Sequence, residues 1–138
     1  MNYLAWALLA MAGYTLVAPL MKIALADIPS TVALVVSNVI LVGVGTVIVA
    51  ATEPEPLSYL GHPKMAYVAA AGVCLTVGIS AYYRALELGP VSIVVPIFAM
   101  FIVTSSVVGI LFLEEALTLR RGLGIVLGMV AVYLTASG

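Results

Sequence analysis

Polar residues are so sparse along this chain that its organisation is read from the interruptions between apolar runs. Five such runs cover residues 3–25, 31–51, 65–86, 91–113 and 122–136, and the second contains no charged residue. A helix needs about 20 apolar residues to cross the hydrocarbon core of a bilayer. The first four runs reach that length. The fifth is short, which fits a helix with little tilt or one flanked by arginines that snorkel to the interface. The main interruption is TEPEPLSYLGHPK, residues 52–64, where prolines, glutamates and a Gly-His-Pro predict a water-facing loop. Leu88-Gly89-Pro90 predicts the end of the third helix, because glycine permits the cap and proline resists continuation. Glu114, Glu115, Arg120 and Arg121 mark the last connection. Tyr3 and Trp6 fall where an interfacial aromatic belt is expected, and Tyr82 and Tyr83 read as belt residues too. The first run lacks a basic leader and more spans follow it, so it is expected to be a retained helix rather than a signal peptide. The pattern predicts one all-α integral membrane domain over residues 1–138, with five transmembrane helices.

Composition narrows the function. The chain is 64% hydrophobic and 8% charged, whereas a soluble domain carries about a quarter charged residues. Its net charge is −1, and five Lys and Arg cannot form a basic patch for nucleic acid. The single Cys74 excludes a disulfide within the chain and a cysteine metal framework. His62 has no His or Cys neighbour, so neither a metal nor another cofactor is expected. No nucleophile–base set or phosphate loop appears, which argues against an enzyme.

An odd number of spans puts the termini on opposite sides of the membrane. Lys64, Arg120 and Arg121 would lie on the N-terminal side, and Lys22 and Arg84 on the other. Orientation follows such loop charges, and here they nearly balance. Two readings follow: a weakly biased single orientation fixed by a partner or one strong loop, or insertion both ways round.

Polar side chains within the spans are the candidates for chemistry. Tyr14, Ala18 and Lys22 share a face of the first helix. Lys22 reads either as a lysine snorkelling to the interface or as a cation facing a cavity. Pro19 leaves the Thr15 carbonyl without its backbone donor. Thr76, Ser80, Tyr83, Arg84 and Glu87 form a polar stripe on the third helix, expected to face protein or water. Arg84 and Glu87 can pair at i, i+3, as an interfacial structural pair or beside substrate. Asn38, the most central polar residue of the second helix, suits an interhelical hydrogen bond or a substrate contact. Ser92 and Pro96 share a face of the fourth helix, where a proline-broken ladder marks either a cavity or a packing kink. Gly122, Gly124 and Gly128 give the fifth helix a surface that another helix can approach closely.

The second half of the chain carries Ala85-Leu86, Pro90-Val91-Ser92, Pro96, Glu115-Ala116-Leu117-Thr118 and the glycines of the last helix. With these residues the chain from Ala85 onward resembles the EamA-type domain of the drug/metabolite transporter superfamily. Pro19-Leu20-Met21-Lys22 also fits the family's basic residue near the end of helix one. Members of that family usually carry two five-helix units in one chain, related by an inverted repeat. This chain is similar to the short members with a single unit, one half of a ten-helix fold. The resemblance therefore implies a homodimer. A lone five-helix unit reproduces the inverted pair only by meeting its own copy antiparallel, and the balanced loop charges fit that. A parallel dimer or a second small subunit are the other options. The resemblance also implies pocket-lining roles for Ser92, Pro96 and Phe98, whereas Glu115 reads as a structural interface residue. The related small multidrug-resistance transporters carry a glutamate within helix one. Here the stretch reads Ala10-Met11-Ala12-Gly13, and no carboxylate lies deep in any span. A cation/proton antiporter is thus not expected, and the positive charges lean toward neutral or anionic solutes.

The reading is a transporter of a small organic metabolite, working by alternating access in the cytoplasmic membrane of a prokaryote. Tyr14, Lys22, Asn38, Ser80, Tyr83, Arg84, Ser92 and Pro96 are its candidate substrate residues. The alternatives are a flippase for a lipid or lipid-linked intermediate, with Lys22 or Arg84 meeting a phosphate, and a non-transporting accessory membrane protein.

Overall fold

The structure is a computed structural model and describes residues 2–112 and 118–137. Those residues form five α-helices and one 3₁₀ helix, with no strand among them: α1 (Tyr3–Ala24), α2 (Ser30–Thr52), the 3₁₀ helix (Pro56–Gly61), α3 (Met65–Leu88), α4 (Val91–Phe112) and α5 (Leu119–Ser137). Among them, α1 to α4 are long and apolar enough to cross a membrane, while α5 holds a shorter apolar stretch, Gly122–Thr135. At 1.5 Å per residue the 22 residues of α1 reach about 33 Å, just over the thickness of the hydrocarbon core. Glu114 and Glu115 lie outside the described residues, and with them the reading of Glu115.

Proline sets the helix ends. Helix α2 stops at Thr52 because Glu53 precedes Pro54 and is held extended, with φ −112° and ψ 120°. His62 precedes Pro63 and is extended likewise, which ends the 3₁₀ helix. Its imidazole Nδ1 accepts the backbone N–H of Lys64 at 3.1 Å, so the lone histidine serves the turn into α3. The segment expected to be a plain loop thus contains a 3₁₀ turn, started by Pro56 with its preset φ. Helix α5 begins at Leu119, ahead of the expected residue 122, so Arg120 belongs to the helix rather than to the connection.

The chain divides into two compact units, residues 1–88 and 89–138. In the first, α3 packs against both α1 and α2. Its buried residues are Ala18 and Leu25 of the α1 end, Ser30 and Ala33 of the α2 start, and Tyr82, Tyr83 and Leu86 of the α3 end. All lie at one end of the three-helix unit. Towards the other end Trp6, Val47 and Val68 are exposed, so the helices close tightly at one end only. In the second unit α5 packs on α4. A methyl group built on Gly128 would meet Val103 Cγ2 at 3.5 Å, an ordinary contact, and one on Gly124 would meet nothing within 4 Å. Gly124 and Gly128 are therefore not forced by the packing of α4 on α5.

Candidate functional site

The closed end of the first unit is held by polar ties between helices. The carbonyl of Leu86 would bond the N–H of the residue four positions on, but that residue is Pro90, which has none. Lys22 Nζ supplies the missing donor at 2.6 Å. A cation also belongs at a helix C-terminus, where the macrodipole is negative. Lys22 therefore joins α1 to α3, and Leu86 beside it is fully buried. Glu87 joins α3 to α2, its carboxylate accepting hydrogen bonds from the hydroxyl and the backbone N–H of Ser30 at the positive end of α2. Arg84 Nη1 pairs with Glu87 Oε2 at 2.8 Å, its side chain 60% exposed.

Tyr83 adds a further tie. Its hydroxyl donates to Ser37 Oγ at 3.3 Å, and Ser37 Oγ donates to the Leu34 carbonyl at 3.1 Å. Tyr82 and Tyr83 were expected in an interfacial belt. They are buried instead, Tyr83 to 4% exposure, because both face the junction of α3 with its neighbours. Their rings lie 6.2 Å apart. Tyr83→Phe is expected to lower stability in micelles by about 0.6 kcal/mol, the average for an interhelical hydrogen bond in a membrane protein, read from unfolding in denaturing detergent.

A groove of about 660 Å³ opens between α2 and α3 beyond these ties. It is lined by Leu34, Asn38, Val42 and Gly43 of α2 and by Thr76 and Ile79 of α3, among others. These positions lie about the middle of both helices. Asn38 Nδ2 donates to the Leu34 carbonyl at 2.8 Å, which fixes the amide on α2. That bond uses one of its two N–H groups and leaves the amide oxygen and the second N–H for a ligand.

Three members of the polar stripe of α3 meet protein or the groove: Tyr83 bonds Ser37, Glu87 bonds Ser30, and Thr76 lies on the groove wall. Thr76 Oγ1 donates to the Gly72 carbonyl at 2.8 Å and Ser80 Oγ to the Thr76 carbonyl at 2.6 Å. Both hydroxyls are thus also satisfied inside the helix.

The remaining candidates lie apart from the groove's lining. Tyr14 is 67% exposed, since α1 is held to α3 at the Lys22 end. Ser92 is exposed and Pro96 half-buried on α4, in the second unit. That unit has a groove of its own, about 500 Å³, lined by Ser106, Gly124 and Gly128 together with apolar residues of α4 and α5, and it includes neither Ser92 nor Pro96. Phe98 lies against Phe101 on the same helix, with ring centroids 5.0 Å apart and the planes tilted by 48°.

Membrane-length apolar helices around a sparsely polar groove are what a carrier of small molecules needs, and comparison with known proteins agrees. The model of the EamA-like transporter family matches residues 1–137. The chain belongs to the EamA-like transporter family. It is also similar to an uncharacterized transporter in the cobO 3′ region of Sinorhizobium sp, 35% identical over 122 residues that span 87% of this chain and 86% of the relative. No solved structure matches it significantly. An EamA-like chain of this composition is an integral membrane protein, and its family is one of transporters.

Sequence reasoning singled out Lys22, Asn38 and Tyr83 but not the residues that Lys22 and Tyr83 meet across the helices. Ser37 was one residue from Asn38, and the orphaned Leu86 carbonyl was readable from Pro90. Gly43 and Thr76 became groove residues only once α2 and α3 were placed side by side.

Proposed function

We propose that this EamA-like protein carries a small organic metabolite across the cytoplasmic membrane of a prokaryote, as an antiparallel homodimer working by alternating access. The observation that carries the reading is the groove between α2 and α3, seated midway along two membrane-length helices and open along one side. Val35, Val39, Val42 and Leu75 on its wall are exposed within the chain. One copy does not enclose a solute, and a second copy supplies the missing wall. With α5 as a fifth span, the termini lie on opposite sides, and two copies inserted oppositely form a ten-helix inverted pair. Interchange of conformation between the copies then exposes the groove to each side in turn. The bacterial relative supports the prokaryotic setting.

Of the candidate residues, Asn38 is the one we place on the solute. Lys22, Tyr83 and Arg84 act through the ties at the closed end. The test is reconstitution of the purified chain alone. Liposomes loaded with a mixture of small polar metabolites are expected to release some of them, read by mass spectrometry, faster than protein-free liposomes. Equal release of every component would contradict the proposal.

A further inference from the structure

Resting on the reading of the α2/α3 groove as the solute site, we infer that its substrate is an uncharged, mostly apolar molecule bearing an amide or another group that both donates and accepts hydrogen bonds. None of the nine residues lining the groove is Asp, Glu, Lys, Arg or His. The wider chain points the same way. Helices α2 and α4 contain no such residue at all. Lys22 stands in the last turn of α1, Arg84 and Glu87 in the last turns of α3, and Arg120 and Arg121 in the first turn of α5. Doubling the chain doubles these positions and adds nothing midway. An ion halfway across would be stripped of water with no countercharge to meet it, a desolvation that proteins do not leave uncompensated.

The two positive charges that favoured an anion are engaged elsewhere. Lys22 Nζ sits on the Leu86 carbonyl and Arg84 on Glu87. What faces a solute is a wall of Leu, Val, Ile and Gly with one amide, Asn38, and one hydroxyl, Thr76. Thr76 has spent its proton on Gly72, so it offers acceptor capacity only. Asn38 offers both a donor and an acceptor, the complement of a primary or secondary amide. A flippase in which Lys22 or Arg84 meets a phosphate is disfavoured on the same ground.

Three probes with one ring system and different charge decide the matter: indole-3-acetamide, indole-3-acetate and tryptammonium. Each is titrated calorimetrically into the full chain in lipid nanodiscs, with empty nanodiscs as the blank. The expected result is binding of the acetamide, at least tenfold tighter than either ion. Asn38→Leu is expected to weaken acetamide binding about tenfold, the loss of one to two hydrogen bonds. Asn38→Asp is expected to reverse the order in favour of tryptammonium. Binding of either ion to the unmodified chain as tightly as the acetamide, with dependence on Asn38, overturns the neutral-substrate inference while the groove remains the site. Binding of none of the three, or binding indifferent to both Asn38 variants, removes the groove as the site and overturns both readings.

Discussion

Gly43→Phe is expected to abolish transport while leaving the protein folded. Gly43 lies on the wall of the α2/α3 groove, and a Cβ built there meets nothing within 4 Å. The backbone can therefore accept a side chain without shifting, and the new ring fills the space that a solute would occupy. Within a helix, replacing glycine by phenylalanine also gains a few tenths of a kcal/mol in propensity. Expression, monodispersity and thermal midpoint are expected to match the unmodified chain or exceed it slightly, while solute release from proteoliposomes falls at least tenfold. Most mutations that stop a transporter also damage its fold, and here the two effects have opposite signs. Undiminished release by a folded Gly43→Phe protein would show that solute takes another route.

The second large effect is on stability. Lys22→Met keeps most of the apolar stem but removes the donor to Leu86. Pro90 ensures that the ordinary helical donor is missing, so the carbonyl is left at a buried residue with no replacement from the chain's own register. Hydrogen bonds to a charged group contribute about 1.5–3 kcal/mol, and the loss here is expected to be about 2 kcal/mol. Unfolding in mixed micelles measures it. Lys22→Arg, which retains the cation and several donors, is expected to recover at least half of that loss. If Lys22→Met unfolds like the unmodified protein, the lysine serves the interface and not the end of α3.

Much of this architecture was legible in the residues because membrane helices announce themselves by composition. Pro54, Pro63 and Pro90 each force the residue before them away from the helical region, and the observed boundaries of α2, the 3₁₀ helix and α3 follow them. The family was readable from the run that begins at Ala85, where Pro90, Ser92 and Pro96 keep their spacing. The pairing of side chains was harder. Lys22 and Leu86 are 64 residues apart, and Tyr83 and Ser37 are 46 apart. Their meeting depends on α3 lying against both α1 and α2, which no local pattern encodes. The aromatic-belt reading of Tyr82 and Tyr83 failed for a related reason. A tyrosine near a helix end suits a lipid interface or a three-helix junction equally well, and only packing separates the two. Spacing also does not reveal that Thr76 and Ser80 can satisfy their hydroxyls on their own helix.

Lys22, Tyr83 and Glu87 fix the helices together at the end where α1 finishes and α2 begins, so relative movement of α2 and α3 is easiest at the opposite end.

If two oppositely inserted copies of this one chain make the transporter, as proposed, the chain has dual topology in the membrane. Reporters active on only one side of the membrane are fused to the C-terminus, and both signals are read from the same strain. Comparable activity from the cytoplasmic and the external reporter is the expected result. Activity on one side alone would contradict it and would direct attention to a parallel oligomer or a second, differently oriented subunit.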